Sequence, residues 1–262
     1  MDAQKLSTIK ALDGGDDFYA NPGKILGLYI LVKGTNKVGQ VGTPADVGRF
    51  ITERDGNQKQ NVDFKDLQKI MNTRSGISIL ESVDGGAFLA SAFMPFFEAG
   101  FPNCMNVIDK EELNIEYQPA ANVDAVFADL SIEVWMKTAS YDERYEFLIG
   151  THNANYGAAV DSDPRNLGRP NITNIFIDDA GDIMKNFALE QSGKTVVSTA
   201  TYDLLRAMTL QENQIEDETF DLVKISTTTP GDWDTLKNYS SIATLSASGA
   251  GNIRLILCSI NY

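Results

Sequence analysis

The 262-residue chain has one histidine, His152, and two cysteines, Cys104 and Cys258. A metal site or a histidine-dependent triad would need partners at ligand or triad spacing around His152, and none stands there. His152 therefore reads as a solvated loop residue. The cysteines sit in apolar, strand-like surroundings, PNCMNVI and IRLILCSIN. Buried reduced thiols are the first reading for them, and a disulfide is the alternative left open. No apolar run approaches the roughly 18 residues that span a bilayer, and MDAQKLSTIK has no apolar core of signal-peptide length. Synthesis in the cytoplasm is expected. Basic residues are scarce too: 22 Lys and Arg against 36 Asp and Glu leave a formal net charge of −14, with no basic patch. Such a surface repels a phosphate backbone, so direct contact with nucleic acid is not expected.

What the chain does have is a segment that occurs twice. Phe50 to Asn72, FITERDGNQKQNVDFKDLQKIMN, returns 137 positions later as Phe187 to Thr209, FALEQSGKTVVSTATYDLLRAMT. Aligned without a gap, the copies match at Phe50/Phe187, Glu53/Glu190, Gly56/Gly193, Asp66/Asp203, Leu67/Leu204 and Met71/Met208. Each reads as a strand, a Gly-centred turn, a polar extended piece and a short amphipathic helix. Phe64, Leu67 and Met71 share one helix face in the first copy, with Asp63 as N-cap. Tyr202, Leu205 and Met208 do so in the second, with Thr201 as cap. A repeat this long is not a solenoid unit; it implies two copies of one domain.

Around the copies the chain is strand-rich. Residues 1–23, with Gly14-Gly15-Asp16-Asp17 and Asn21-Pro22 as breakers, read as an N-terminal arm that is flexible or orders against a neighbour. Residues 24–150 form the first domain. It opens on the buried run ILGLYILVKG and includes alternating strands such as LSIEVWMK. Residues 151–170, THNANYGAAVDSDPRNLGRP, lack periodicity and read as a linker or long surface loop. Residues 171–262 form the second domain, where ITNIFID takes the place of the first buried strand and IRLILCSI that of LSIEVWMK. The fold class is all-β with short helices, and turn signals every 8 to 12 residues suit sandwiches and jelly rolls. Two eight-stranded barrels in tandem are expected.

Tandem jelly rolls with a short DLQ or DLL helix after the strand-turn unit resemble the double jelly-roll major capsid proteins of tailless, lipid-containing icosahedral bacteriophages of the corticovirus and finnlakevirus kind. The residues carrying the likeness are ITERDGNQKQNVDFKDLQKIM and ALEQSGKTVVSTATYDLLRAM, with LGLYILVKG and ITNIFID before them. The resemblance implies a homotrimer with a pseudo-hexagonal outline, because three chains present six similar barrels. Trimers of that kind tile an icosahedral shell over an internal membrane. The implied partners are the chain itself, neighbouring capsomers, vertex or penton proteins, and the membrane through the N-terminal arm. The arm of this chain departs from that expectation in lacking a basic or strongly amphipathic face. The implied location is the virion capsid. Closing a ring buries sheet edges, and an acidic surface keeps free subunits apart before assembly.

No catalytic or cofactor-binding residue is expected, and the chain does not read as an enzyme. Ser192-Gly193-Lys194-Thr195 ends like a phosphate loop, but Ala188 stands where the first glycine is required. Asp178, Asp179 and Asp182 are candidate calcium ligands, since hard cations gather carboxylates on one loop. The remaining ligands of a recognised calcium loop are missing, so a turn with solvated charges is the simpler reading. Asn171-Ile172-Thr173 and Asn238-Tyr239-Ser240 match the glycosylation triplet, which arises often by chance. The run from Phe88 to Phe101 reads as core and corner, with a subunit interface as its functional alternative. The competing function is a β-sandwich carbohydrate- or receptor-binding protein that would use the segment Asn153 to Asp163.

Overall fold

The structure, a computed structural model, describes residues 3–73, 78–98, 103–169, 171–179, 181–212, 222–226 and 240–261, with residues 72, 73, 212 and 222 described by backbone alone. The chain divides into two compact units, Met1–Phe147 and Leu148–Tyr262. The first contains β1 (Ala3–Lys10), β2 (Asp16–Ala20), β3 (Gly23–Asn36), β4 (Gly48–Arg54), β5 (Asn57–Asp63), α1 (Phe64–Thr73), β6 (Leu80–Ser82), β7 (Ala87–Pro95), β8 (Met105–Val107), β9 (Leu113–Pro119), the one-turn α2 (Val123–Val126) and β10 (Phe127–Thr138). One sheet has the order β1-β10-β3-β7-β6, with β8 also on β3, and the other contains β5-β4-β9-β2.

Alternation along the strands builds the first core. Ile30 lies between Val134 and Ala92, and Val32 between Ile132 and Ala90, so each row sets a small alanine beside branched side chains. In the second sheet the matching row is Val62, Phe50 and Tyr117. The Phe50 and Tyr117 rings lie 5.3 Å apart, and the buried Tyr117 hydroxyl donates to the Val47 carbonyl at 2.7 Å. The phenol satisfies its one polar atom while its ring fills the barrel. Helix α1 packs Phe64, Leu67 and Ile70 inward, and Met71 is only half-buried.

The second unit begins two residues into β11 (Glu146–Tyr156) and continues with β12 (Val160–Asn166), β13 (Ile172–Asp178), β14 (Met184–Gln191), β15 (Lys194–Thr201), α3 (Tyr202–Glu212), β16 (Leu222–Ser226), β17 (Ser241–Ala247) and β18 (Gly251–Asn261). Its sheets contain β16-β13-β18-β11 and β12-β17-β14-β15. Ile175 and Ile177 of β13 sit opposite Leu257 and Leu255 of β18, and Phe187 of β14 sits opposite Leu245 of β17. All six are buried in one apolar cluster.

With β6 and β8 set aside as additions, the two units share one strand order. The first has β1-β10-β3-β7 with β5-β4-β9-β2; the second has β11-β18-β13-β16 with β15-β14-β17-β12. Each is an eight-stranded jelly roll of two antiparallel sheets. The correspondence corrects two expectations. Residues 1–23 are not a free arm, because β1 pairs with β10 and β2 with β9 inside the first unit. Residues 151–170 are not a structureless linker, because they carry most of β11 and all of β12. These segments are the first two strands of each barrel. Asn, Asp, Gly and Pro disguised them, since edge strands tolerate and even favour such residues.

The duplicated segment becomes β4, β5 and α1 in one unit and β14, β15 and α3 in the other. Asp55-Gly56 (φ 50° and 73°) and Ser192-Gly193 (φ 49° and 75°) form the same left-handed hairpin turn 137 positions apart. After the turn the spacing changes. β15 has eight residues where β5 has seven, and it makes two register shifts against β14 where β5 makes one against β4. The helices therefore align at a spacing of 138: Phe64 with Tyr202, and Leu67 with Leu205 rather than Leu204. Leu205 is buried, whereas Leu204 is 52% and Met208 44% exposed, so Met208 does not belong to the buried face. Thr201 caps α3 as expected, its hydroxyl accepting the Leu204 N–H at 3.3 Å.

Candidate assembly surface

The charged residues at one end of the first barrel are internal ties. Arg54, at the end of β4, donates through Nε and Nη2 to Glu111 at 3.2 and 3.1 Å. Its Nη1 donates to both oxygens of Glu143 at 2.8 and 3.0 Å. Burial opposes the guanidinium charge, but the hydrogen bond to Glu111 and the two carboxylates outweigh it and raise the Arg54 pKa. Glu111 is held below the usual carboxylate range by the Ile108 N–H and then by Arg54. Nearby, burial and then the Glu143 charge push the Cys104 thiol up to about 11. Cys104 is thus a protonated thiol, and neither it nor the buried Cys258 is in a disulfide.

The other notable feature of this barrel is an apolar tip. Asn36, buried at the end of β3, donates through Nδ2 to Ser82 Oγ at 2.9 Å and to the Val83 carbonyl at 2.8 Å. Its Oδ1 accepts the Gly42 N–H at 3.2 Å, and its backbone N–H donates to Gly86 at 2.8 Å. Gly39 adds a bond to Asp84 at 2.6 Å, and Lys37 one from its backbone to Val126 at 2.8 Å. The loop 37–43 and the β6–β7 turn are thereby fastened into one piece. On that piece Val38 is 92%, Val41 58% and Val83 60% exposed. Three exposed valines on one fastened piece make it the candidate contact surface of the first barrel. Sequence reading passed over it because isolated valines in a Gly-rich loop carry no periodicity.

The residues singled out in the sequence fall elsewhere. His152 is not a loop residue; it lies half-buried in β11, with no hydrogen-bond partner for Nε2. Burial and then the nearby Arg165 charge lower its pKa, against the pull of Asp163. Asp163 is occupied by the Tyr156 hydroxyl at 2.9 Å and Arg165 Nε at 2.6 Å. Burial, with Asp163 assisting, pushes the Tyr156 hydroxyl up to about 12. The cluster ties β11 to β12. The segment Asn153 to Asp163, expected as an exposed loop, is thus mostly two strands.

Asp178 is buried at the end of β13, and Asp179 is buried beside it. The Asp179 carboxylate accepts the N–H groups of Ile183 and Met184 at 3.2 and 2.7 Å, while Asp182 occupies the exposed, left-handed corner of the same turn. Two of the three candidate calcium ligands are therefore turned into the fold. Among the described residues no group of three His, Cys, Asp or Glu side chains is placed to hold a metal ion, and no helix is long and apolar enough to cross a membrane. Asn171 of the first triplet is buried, and Asn238-Tyr239 of the second lies outside the described residues. In the phenylalanine run Phe88 and Phe96 are core, Phe93 packs its ring at a tilt against Tyr29 at 4.7 Å, and Phe101 lies outside the described residues.

No protein-family model and no curated protein matches the chain. Solved structures do. The STIV MCP aligns at TM-score 0.71 and 12% identity, over 99% of this chain and 96% of that one. The major capsid protein P2 from bacteriophage PM2 aligns at 0.68 and 11%, over 99% and 97%. The Faustovirus major capsid protein aligns at 0.52 and 7%, over 99% and 89%. The chain has the fold of the double jelly-roll major capsid proteins.

Proposed function

We propose that the protein is a major capsid protein of a tailless icosahedral virus, whose work is self-assembly. The observation that carries this reading is the correspondence of both barrels, in order and over nearly the full length of each chain, with capsid proteins of similar size. Three copies close into a capsomer of six barrels, and capsomers pack laterally, meet vertex proteins and enclose an internal membrane. The valine tip is a surface on which such packing can draw. Because residues 3–20 are built into the first barrel, a free arm is not the route to the membrane. The chain is made in the host cytoplasm and ends in the virion.

Native mass spectrometry tests the reading. Three copies of 28.7 kDa should give a species near 86 kDa, and particles or sheets should follow on concentration. A chain that remains a monomer at micromolar concentration would sink it.

A further inference from the structure

Equivalent strands of the two barrels have unequal surroundings. Inside the first unit β5 has a companion: Glu146, the residue that opens β11, pairs with Lys59 of β5 at 2.7 Å. β15 is the counterpart of β5. It ends its sheet, and no strand among the described residues pairs with its outer side. Where β5 has Lys59, β15 has Val196, 36% exposed.

The sequence of β15 makes that bare edge consequential. KTVVSTAT is charged only at Lys194, and Thr195, Val196, Val197, Thr199 and Thr201 are all β-branched. Three other strands that end sheets are guarded. β2 opens on Asp16-Asp17, and β12 carries Asp161, Asp163, Pro164 and Arg165. β6 is three residues long. The bulges of β15 bend it against β14 but leave its outward side uncharged.

We propose that β15 receives β1 of a second copy of this chain. β1 and β11 are the first strands of their barrels, and each lies next to the last strand, β10 or β18. The opening of β11 lies beside β5, so β15 calls for the next first strand, and the chain has none left to offer. β1 ends its own sheet, and Glu133 at 3.6 Å offsets the Lys5 charge. The contact joins different surfaces on the two copies, so it runs head to tail, and three copies repeating it close a ring in the homotrimer. The proposal rests on the homotrimer put forward above and names the strands that make it.

Cysteine cross-linking of the full chain tests it, against a low background because Cys104 and Cys258 are both buried. One preparation carries Val196→Cys or Ser198→Cys, the other Gln4→Cys or Lys5→Cys, and the two are mixed, allowed to assemble and oxidised. The expected product is a covalent species near 57 kDa that forms in the mixture and in neither preparation alone. In parallel, Val196→Lys should remove the trimer peak while the thermal unfolding of the monomer stays unchanged. Trimers that form without the mixed cross-link would overturn the strand pairing and leave the capsid reading standing. A wild-type chain that never trimerises would overturn both.

Discussion

Replacing Arg54 with alanine is the most informative single perturbation of the first barrel. Arg54 engages both Glu111 and Glu143, and its side chain is 17% exposed against 20% for each partner. Removing one member of a fully buried pair costs about 3–5 kcal/mol, whereas exposed pairs contribute at most about 1 kcal/mol. With a fifth of each side chain still wet, Arg54→Ala should cost about 2–4 kcal/mol at neutral pH. The sign of the pH dependence follows from Glu111. Its folded pKa is lowered, so its contribution is present above the unfolded carboxylate value and is lost as pH falls through the folded one. The variant lacks the arginine but keeps the burial, so its deficit should narrow as pH falls through the lowered folded value of Glu111. Urea unfolding at fixed protein concentration measures this, with Trp233 replaced by phenylalanine so that Trp135 of β10 reports alone. Arg54→Lys keeps the charge, loses the fork and should recover only part of the loss. A deficit below about 1 kcal/mol, or one that grows on acidification, would refute the reasoning.

Leu67→Asp and Leu205→Asp each bury a carboxylate against a core and should destabilise by at least about 3 kcal/mol, while the exposed Leu204→Asp should stay within about 0.5 kcal/mol; chemical denaturation of the three variants separates the gapless alignment from the shifted one. Asn36→Ala removes three side-chain hydrogen bonds that fasten the valine tip, and hydrogen exchange should rise at Gly39 and Gly42 before it rises in β3. Val38→Asp should leave the unfolding midpoint unchanged and reduce packing of capsomers into particles, as seen by electron microscopy; unaltered particle yield would remove the tip from assembly. Because the His152 pKa is lowered, stability should fall as pH drops below about 6.5, and His152→Gln should flatten that limb of the curve.

The strands most legible in the sequence are those buried along their length. ITNIFID was delimited to the residue as β13, and IRLILCSI falls inside β18, because such runs of Ile, Leu and Phe have no exposed solution. The hairpin turns at Gly56 and Gly193 were equally plain, since the left-handed corner favours glycine. β1, β2 and β12 were not legible. Their polar residues signal a loop when read locally, and only pairing with β10, β9 and β17 makes them strands. His152 was misplaced for the same reason, since its strand β11 runs on from Ile149 into polar residues.

The duplicated segment shows where the boundary lies. Sequence alone showed that one pattern occurs twice, because the identities up to the glycine turn keep a constant spacing and each copy ends in a short amphipathic helix. It could not locate the extra residue in β15, because a bulge changes register without breaking the polar, β-branched pattern around it. Tertiary structure decided that point, and with it that Leu205 rather than Leu204 enters the second core. It also decided which edges are guarded and which are bare. That property belongs to strand order, and strand order is set by long-range pairing that no local stretch of sequence encodes.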